Sequence, residues 1–383
     1  MAKEKKKLGN PFIYEGYEGP DYFRDRTEET ENVIADLKNG RNLTFVSPRK
    51  IGKTGLIHHV FHTIKAQQKD AVCIYVDIFH TQNQHDFVQT LGKAIVSERL
   101  LDSRGAIEKV LAFFSSWRPT VSLDPLTGSP TVSVSIERSM AEPTLKSIFD
   151  YLKDSDKEVY VAIDEFQAIA DYPEKGMEAL LRSYIQFMHH VHFIFAGSRQ
   201  HLMYEIFFSP KRPFYNSTTL MSLEPLHEEI YYAFASRLFQ EKKGSFSPEV
   251  FHELYNLFEG HTWYMQTVLN RLYDCQRHVT DVGQVHEAVN DVLKRKRDLY
   301  DSLQIFLTNN QFDLLKAIAR ERCVEQPLAG EFIGRHQLGS ASSVKRALQM
   351  LLEKDLVYHS KQGYVVYDKF ADLWLRRMFG TLT

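Results

Sequence analysis

Four short stretches of the chain are apolar almost without interruption: Asn42–Val46 (NLTFV), Val72–Ile78 (VCIYVDI), Val159–Ile163 (VYVAI) and Val191–Ala196 (VHFIFA). Runs of this kind, rich in β-branched and aromatic residues, predict strands buried on both faces of a parallel sheet. Helical patterns lie between them, the first from Thr54 to about Gln67, so the predicted class is α/β with helices covering the sheet. One segment breaks the rhythm. Thr120–Ile136 (TVSLDPLTGSPTVSVSI) alternates apolar and polar residues about Asp124-Pro125-Leu126-Thr127-Gly128, which predicts an antiparallel hairpin inserted into the core.

Beyond Leu226 the strand signal disappears. Amphipathic runs at Glu228–Glu241, Pro248–Phe258 and Trp263–Arg277 predict an all-helical stretch to about Asp301. From there the pattern shortens. Gln311–Arg320 carries Phe312, Leu315 and Ile318 on one side, and Glu331–Arg335, a turn through Gly339 and Ser342–Lys354 read as a helix-turn-helix. Val344, Ala347, Leu348, Leu351 and Leu352 form its buried stripe, and Ser343, Lys345, Arg346 and Gln349 point outward. Leu356–Ser360 and Gly363–Tyr367 then predict a hairpin wing about Lys361-Gln362. The expected organisation is an N-terminal extension over 1–20, an α/β core over 21–225, a helical segment over 226–300 and a winged helix over 301–383.

Composition narrows the class. The 383 residues fit two or three domains at roughly 150 residues each. With 43% hydrophobic and 25% charged residues, a large core is affordable and disordered or low-complexity classes are excluded. Lys and Arg number 47 against 49 Asp and Glu, so a wholly basic nucleic-acid coat is excluded while a local basic face is not. Cys73, Cys275 and Cys323 lie far apart with no CxxC pair, which predicts free thiols in a reducing compartment. The Lys-rich start (Lys3, Lys5, Lys6, Lys7) lacks the apolar core of a signal peptide, and no apolar run is long enough to span a membrane. The expectation is a cytoplasmic protein with no membrane partner.

The chemistry begins directly after the first strand. Ser47-Pro48-Arg49-Lys50-Ile51-Gly52-Lys53-Thr54, continuing through Gly55 into a helix, is a Walker A loop with Ser47 in place of the first Gly. A strand feeding a tight loop into a helix N-terminus aims several backbone N–H groups at one point, where the helix dipole also favours anions. Lys53 is expected to reach the β and γ phosphates of ATP and the Thr54 hydroxyl to ligate Mg2+. The third strand runs into Asp164-Glu165, a Walker B pair, with Asp164 in the Mg2+ shell and Glu165 deprotonating the attacking water. The fourth ends in Gly197-Ser198-Arg199, which places Ser198 as a sensor of the γ-phosphate or of that water.

These residues, with Asp21-Tyr22-Phe23-Arg24-Asp25-Arg26-Thr27-Glu28-Glu29 before the loop, the Asp77 strand, Asp164-Glu165-Phe166-Gln167 and a winged-helix-like end, resemble the archaeal-type ATPase family of the STAND branch of AAA+ proteins. The resemblance runs from about Asn10 to the C-terminus. It implies a parallel five-stranded P-loop NTPase core in the order 5-1-4-3-2, a helical lid, a winged helix, Mg-ATP between core and lid, and Phe23 and Arg26 of an F-x-D-R-x-x-E box beside the adenine. Three departures stand out: Ser47; Pro213-Phe214-Tyr215-Asn216-Ser217, where the family's finger Arg is replaced by Ser217; and Gly260-His261-Thr262, where Thr262 replaces a nucleotide-positioning Pro. A missing finger can remove orders of magnitude in rate, so slow intrinsic turnover is expected, with Lys211 or Arg212 the nearest substitutes.

Partners are less defined. Outward Lys345, Arg346 and Gln349 suit a DNA major groove, and Lys294-Arg295-Lys296-Arg297 could add phosphate contacts. Yet Asp301 onward holds 11 basic and 9 acidic residues, only +2, so contact with a protein or packing on the chain's own ATPase stays open. His58 and His62 share one helix face without a third ligand for a metal, and no nucleophile triad has a local signature. Two functions compete: hydrolysis of Mg-ATP, and a nucleotide-gated switch whose turnover is incidental. A P-loop kinase is the weaker third, since an intact acid pair points to water as nucleophile. Oligomeric state is not fixed by these features.

Overall fold

The computed structural model describes residues 8–23, 26–102, 118–123, 130–360 and 362–380. Asp25, the inserted hairpin's turn at Asp124–Gly128, Lys361 and the N-terminal lysines lie outside them. Two compact units divide the chain, Glu15–Ile230 as one and Tyr231 onward with the residues up to Tyr14 as the other.

In the first unit, β1 (Leu43–Val46), β2 (Val72–Asp77), β5 (Val159–Asp164), β6 (Val191–Gly197) and β7 (Thr219–Met221) form one sheet in the order β2-β5-β6-β1-β7. Every pairing is parallel. Counting only these strands, that is the 5-1-4-3-2 order implied by the family resemblance. β3 (Arg118–Leu123) and β4 (Pro130–Ser135) pair antiparallel as the inserted hairpin. β7 carried no readable signal: it is three residues long on the sheet edge, and Thr219 and Leu220 are exposed.

Strand alternation builds two cores. One face presents Val46, Val72, Ile74, Val76, Val159, Val161, Ile163, Phe193 and Phe195. It is covered by α3 (Gln84–Asp102), α4 (Ala141–Lys153), α5 (Met177–Ile185) and α6 (Gln200–Phe208). The other face presents Leu43, Phe45, Cys73, Tyr160, Ala162 and Ile194 to α1 (Thr27–Lys38) and α2 (Lys53–Gln67). Beneath the end of β5 lies an aromatic cluster, Phe195 with Phe166 at 4.6 Å, Phe207 at 5.2 Å and Phe214 at 5.5 Å between ring centroids.

The second unit holds α7 (Glu228–Glu241, from Tyr231 on), α8 (Pro248–Phe258), α9 (Thr262–Cys275), α10 (Val282–Arg295), and the short α11 (Arg297–Asp301) and α12 (Leu303–Phe306). The stretch is not purely helical as expected: β8 (Ser245–Phe246) and β9 (His278–Val279) pair in parallel. The winged helix follows as α13 (Asn309–Glu321), α14 (Gly330–Arg335), α15 (Ala341–Glu353), β10 (Val357–His359), β11 (Tyr364–Val366) and α16 (Lys369–Phe379). Its hairpin gains an antiparallel bridge from Val324 to Tyr364. Gly363 is required there, because at φ 147° a Cβ would stand 2.6 Å from the Val324 carbonyl oxygen. α16 lies beyond the wing, the last element that the sequence pattern predicts. Its start is marked by Asp368, whose carboxylate accepts from the backbone N–H of Phe370 and Ala371, and it buries Phe370, Leu373, Trp374 and Leu375.

Truncating Phe195 to Ala should destabilise the first unit by about 3–5 kcal/mol. Chemical denaturation followed by circular dichroism checks it, and a shift under 1 kcal/mol (less than roughly a third of that range) would mean the cluster is not a structural centre.

Candidate functional site

Because every strand of the sheet runs the same way, β1, β5 and β6 end on one edge, with β6 between the other two. The register sets Val46 beside Gly197 and Asp77 beside Asp164. The loop after β1, the acid pair after β5 and Ser198 after β6 are therefore brought together by strand order alone.

The loop turns through two left-handed residues, Lys50 (φ 65°) and Gly52 (φ 102°). Ser47 is not one of them, so its replacement of Gly carries no backbone strain. Instead the buried Ser47 Oγ accepts a hydrogen bond from the Leu223 N–H at 2.8 Å, tying the loop to the segment after β7. Gly52 caps α2 without a side-chain hydrogen bond, and no acid sits in the first turn, which leaves the end of a 15-residue helix suited to an anion. Lys53 is buried and its Nζ donates to the carbonyls of Ser47 (2.7 Å) and Pro48 (2.8 Å). Burial holds its ammonium down to about 8, against the opposing pull of Asp164 and Glu165.

Asp164 is the last residue of β5 and is buried. Its Oδ2 accepts from Thr54 Oγ1 and from the Tyr75 hydroxyl, both at 2.8 Å, and its Oδ1 accepts from the Glu165 N–H at 3.0 Å. Burial, reinforced by Asp164, drives the Tyr75 phenol far above its usual range. Tyr75 was missed in the sequence, where it read only as one more aromatic of a strand. Burial also raises Asp77. Among the described residues no three His, Cys, Asp or Glu gather as a metal cage, but a hydroxyl and one carboxylate suit Mg2+, which takes few protein ligands and keeps water or phosphate oxygens.

Glu165 sits in left-handed backbone (φ 56°). Its Oε2 accepts from Ser198 Oγ at 2.8 Å and from Gln167 Nε2 at 2.5 Å, and Arg49 Nε donates to Ser198 Oγ at 3.1 Å. The sequence-predicted Ser198 thus meets Glu165 directly, and Arg49 joins through it. Phe23 lies over Gly55 in the first turn of α2, where a Cβ would come within 3.1 Å of its ring. Phe23 packs on His59 at 4.6 Å, and Tyr17 bonds to His59 Nδ1 at 2.9 Å. Arg26 is buried on Glu29 (2.6 Å) and the Ile51 carbonyl (3.3 Å), where it braces the loop. His58 packs at a tilt against Tyr75, 4.5 Å between rings.

The departures have definite surroundings. Arg212 pairs with Glu178 at 2.9 Å and Glu205 at 2.5 Å, and Ser217 Oγ donates to the Phe214 carbonyl. In the second unit His261 precedes α9, is buried and is pushed down to about 4 by burial and by Lys369, which itself pairs with Glu259 at 2.8 Å. On α15, Lys345, Arg346 and Gln349 are exposed, Ser343 is tied back to Asn310 at 3.0 Å, and Leu352 is only half-buried. Of the basic run before the winged helix, Arg295 and Arg297 pair with Asp291 and Asp301, and Lys296 lies over the Trp263 ring.

A sequence model of the ATPase domain predominantly from Archaea matches residues 23–268, and one of a probable winged helix domain matches residues 298–377. The fold is similar to that of the Walker-type ATPase of Pyrococcus abyssi, at 16% identity and a TM-score of 0.65, covering 96% of this chain and 99% of that one. It is also similar to the ORC2 protein of Aeropyrum pernix in ADPNP-ADP complexes (14% identity, TM-score 0.58, 97% and 98% covered). The ORC1 protein of the same organism, in complex with DNA, follows at 14% identity and 0.53, with 94% of each chain covered. At these identities the likeness is one of fold. No curated protein matches.

Ser47→Ala leaves the buried Leu223 N–H without its acceptor and should cost about 1–3 kcal/mol. Thermal unfolding tests this, and an unchanged midpoint would remove Ser47 from the scaffold of the loop.

Proposed function

Since the chain belongs to the family of ATPase domains found predominantly in Archaea, we propose that it hydrolyses Mg-ATP to ADP and phosphate and that nucleotide state governs its helical and winged-helix unit. The observation that carries this is the convergence of Thr54, Asp164, Glu165 and Ser198 beside the uncapped start of α2. In this reading Lys53 leaves the Ser47 and Pro48 carbonyls for the β and γ phosphates. Thr54 and Asp164 hold Mg2+, which neutralises phosphate charge. Glu165 takes a proton from water as its oxygen bonds to the γ-phosphorus and the bridging oxygen leaves with ADP. Ser198 and Arg49 lie towards the γ-phosphate, and Phe23 offers a ring to the adenine. Catalysis in such a site is mainly electrostatic positioning. Turnover is proposed to be slow: Arg212 is engaged by two carboxylates, and Ser217 cannot supply charge. Free thiols at Cys73, Cys275 and Cys323 fit a cytoplasmic setting, and no helix is long and apolar enough to cross a membrane among the described residues.

The exposed Lys345, Arg346 and Gln349 of α15 support duplex DNA as the partner of the winged helix, the class of ligand present in the ORC1 complex. Steady-state phosphate release with Mg2+, for wild type, Lys53→Ala and Glu165→Gln, with and without duplex DNA, tests the scheme. Expected are turnover abolished in Lys53→Ala, turnover cut to a small residual rate in Glu165→Gln, and a rate raised by DNA in wild type. Nucleotide binding without turnover would instead establish a switch, and indifference to DNA would direct the winged helix to a protein.

A second expectation follows from Lys53. Its ammonium is held down to about 8, so above that pH the loop lysine is increasingly neutral, and incoming phosphates restore its charge. Nucleotide binding near pH 9, between about 8 and 10.5, should therefore take up protons. Calorimetry in buffers of different ionisation enthalpy measures this, and Lys53→Met should bind without uptake. Identical heats for wild type in all buffers would contradict it.

A further inference from the structure

Gln167 is itself neither a phosphate ligand, a metal ligand nor the base in that scheme, yet it is buried at the centre of the site. It lies in the short 3-10 helix Phe166–Asp171 that follows the acid pair, and its Nε2 donates to Glu165 Oε2 at 2.5 Å. Only the amide nitrogen can face a carboxylate, so the orientation of the carboxamide is fixed. Ser198 donates to the same oxygen. Two donors from different segments thus converge on Oε2, while the backbone beneath is pinned by the Glu165 N–H on Asp164 Oδ1 and held left-handed at φ 56°. Oε1 is the oxygen left to act on a substrate.

The neighbouring strand is shaped for this arrangement. A Cβ at Gly197 would stand 2.2 Å from Gln167 Oε1 and 2.5 Å from Met203 Sδ. Gly197 is outside the left-handed region, so space for Gln167, not backbone freedom, is what requires glycine there. The arrangement also carries a penalty, since Gln167 Oε1 is buried without a hydrogen-bond partner. A residue chosen for packing alone would have no reason to place an unpaired amide oxygen against Met203; polar groups kept buried at such a cost concentrate at functional sites.

We propose that Gln167 is a positioning residue: it holds the Glu165 carboxylate by one oxygen so that the other faces the attacking water. The inference rests on the reading of Glu165 as the base. Gln167→Met matches the length of the side chain, suits the apolar wall beside Met203 and removes both the donor and the orphan acceptor, so the variant should fold with stability equal to or above wild type. Its kcat should fall roughly 10- to 100-fold, as for loss of a group that orients a reacting ligand, with the dissociation constant for a fluorescent ATP analogue unchanged. Gly197→Ala should reproduce that loss by displacing the carboxamide. The decisive readout is coupling: in a Glu165→Gln background, adding Gln167→Met should change the residual rate no further, because the group it orients is already gone. Wild-type kcat in Gln167→Met, or a loss that multiplies with that of Glu165→Gln, would overturn the proposal while leaving Glu165 as base. Full turnover in Glu165→Gln would overturn the reading beneath it, and with it this role.

Discussion

Everything in the ATPase unit depends on β6 being inserted, in parallel, between β1 and β5. Parallel pairing sends all carboxyl ends to one edge, and the insertion opens a crevice there because the chain leaves β1 and β5 on either side of a strand reached later. The phosphate loop and the acid pair thereby face each other across Ser198. The hydrogen bonds that follow, Thr54 to Asp164 and Ser198 to Glu165, are short because the strand register had already aligned their backbones. Beneath, the Phe166, Phe195, Phe207 and Phe214 rings make this edge rigid by filling the space under the turn that carries Glu165.

Most of this was legible from the residues. The four long strands are continuous apolar runs, and the loop and acid pair follow directly from strands, so position and chemistry reinforced one another. What escaped notice lacked a local signal. β7 is short and exposed on the sheet edge, and the bridge at Val324 involves a single residue, so neither has a period to detect. Tyr75 and Gln167 could be seen as letters but not as partners, since a hydroxyl bonded to Asp164 from the next strand is a fact of register. Ser47 was read as a tolerated departure from Gly, whereas its hydroxyl has a long-range acceptor role that no nearby residue hints at. α16 was legible in principle, from Asp368 ahead of an amphipathic run.

The departures from the family pattern share a physical theme. Arg212 is neutralised by Glu178 and Glu205, and the Lys369–Glu259 pair stands beside a His261 kept neutral by burial. Groups that might have offered mobile positive charge are instead absorbed into local structure.

The bond from the Leu223 N–H to Ser47 Oγ spans 176 residues, and β1 completes its pairing only with β7, which ends at Met221. Contacts this distant in the chain close late, after the entropy of a long loop has been overcome. On a ribosome adding roughly 5–20 residues per second, the loop after β1, proposed above to grip phosphate, therefore waits many seconds for its last wall. Until then its glycine-bearing turn is unbraced and β1 lacks one neighbour, so a nascent chain is kept from acquiring a finished nucleotide site before its whole α/β unit has emerged.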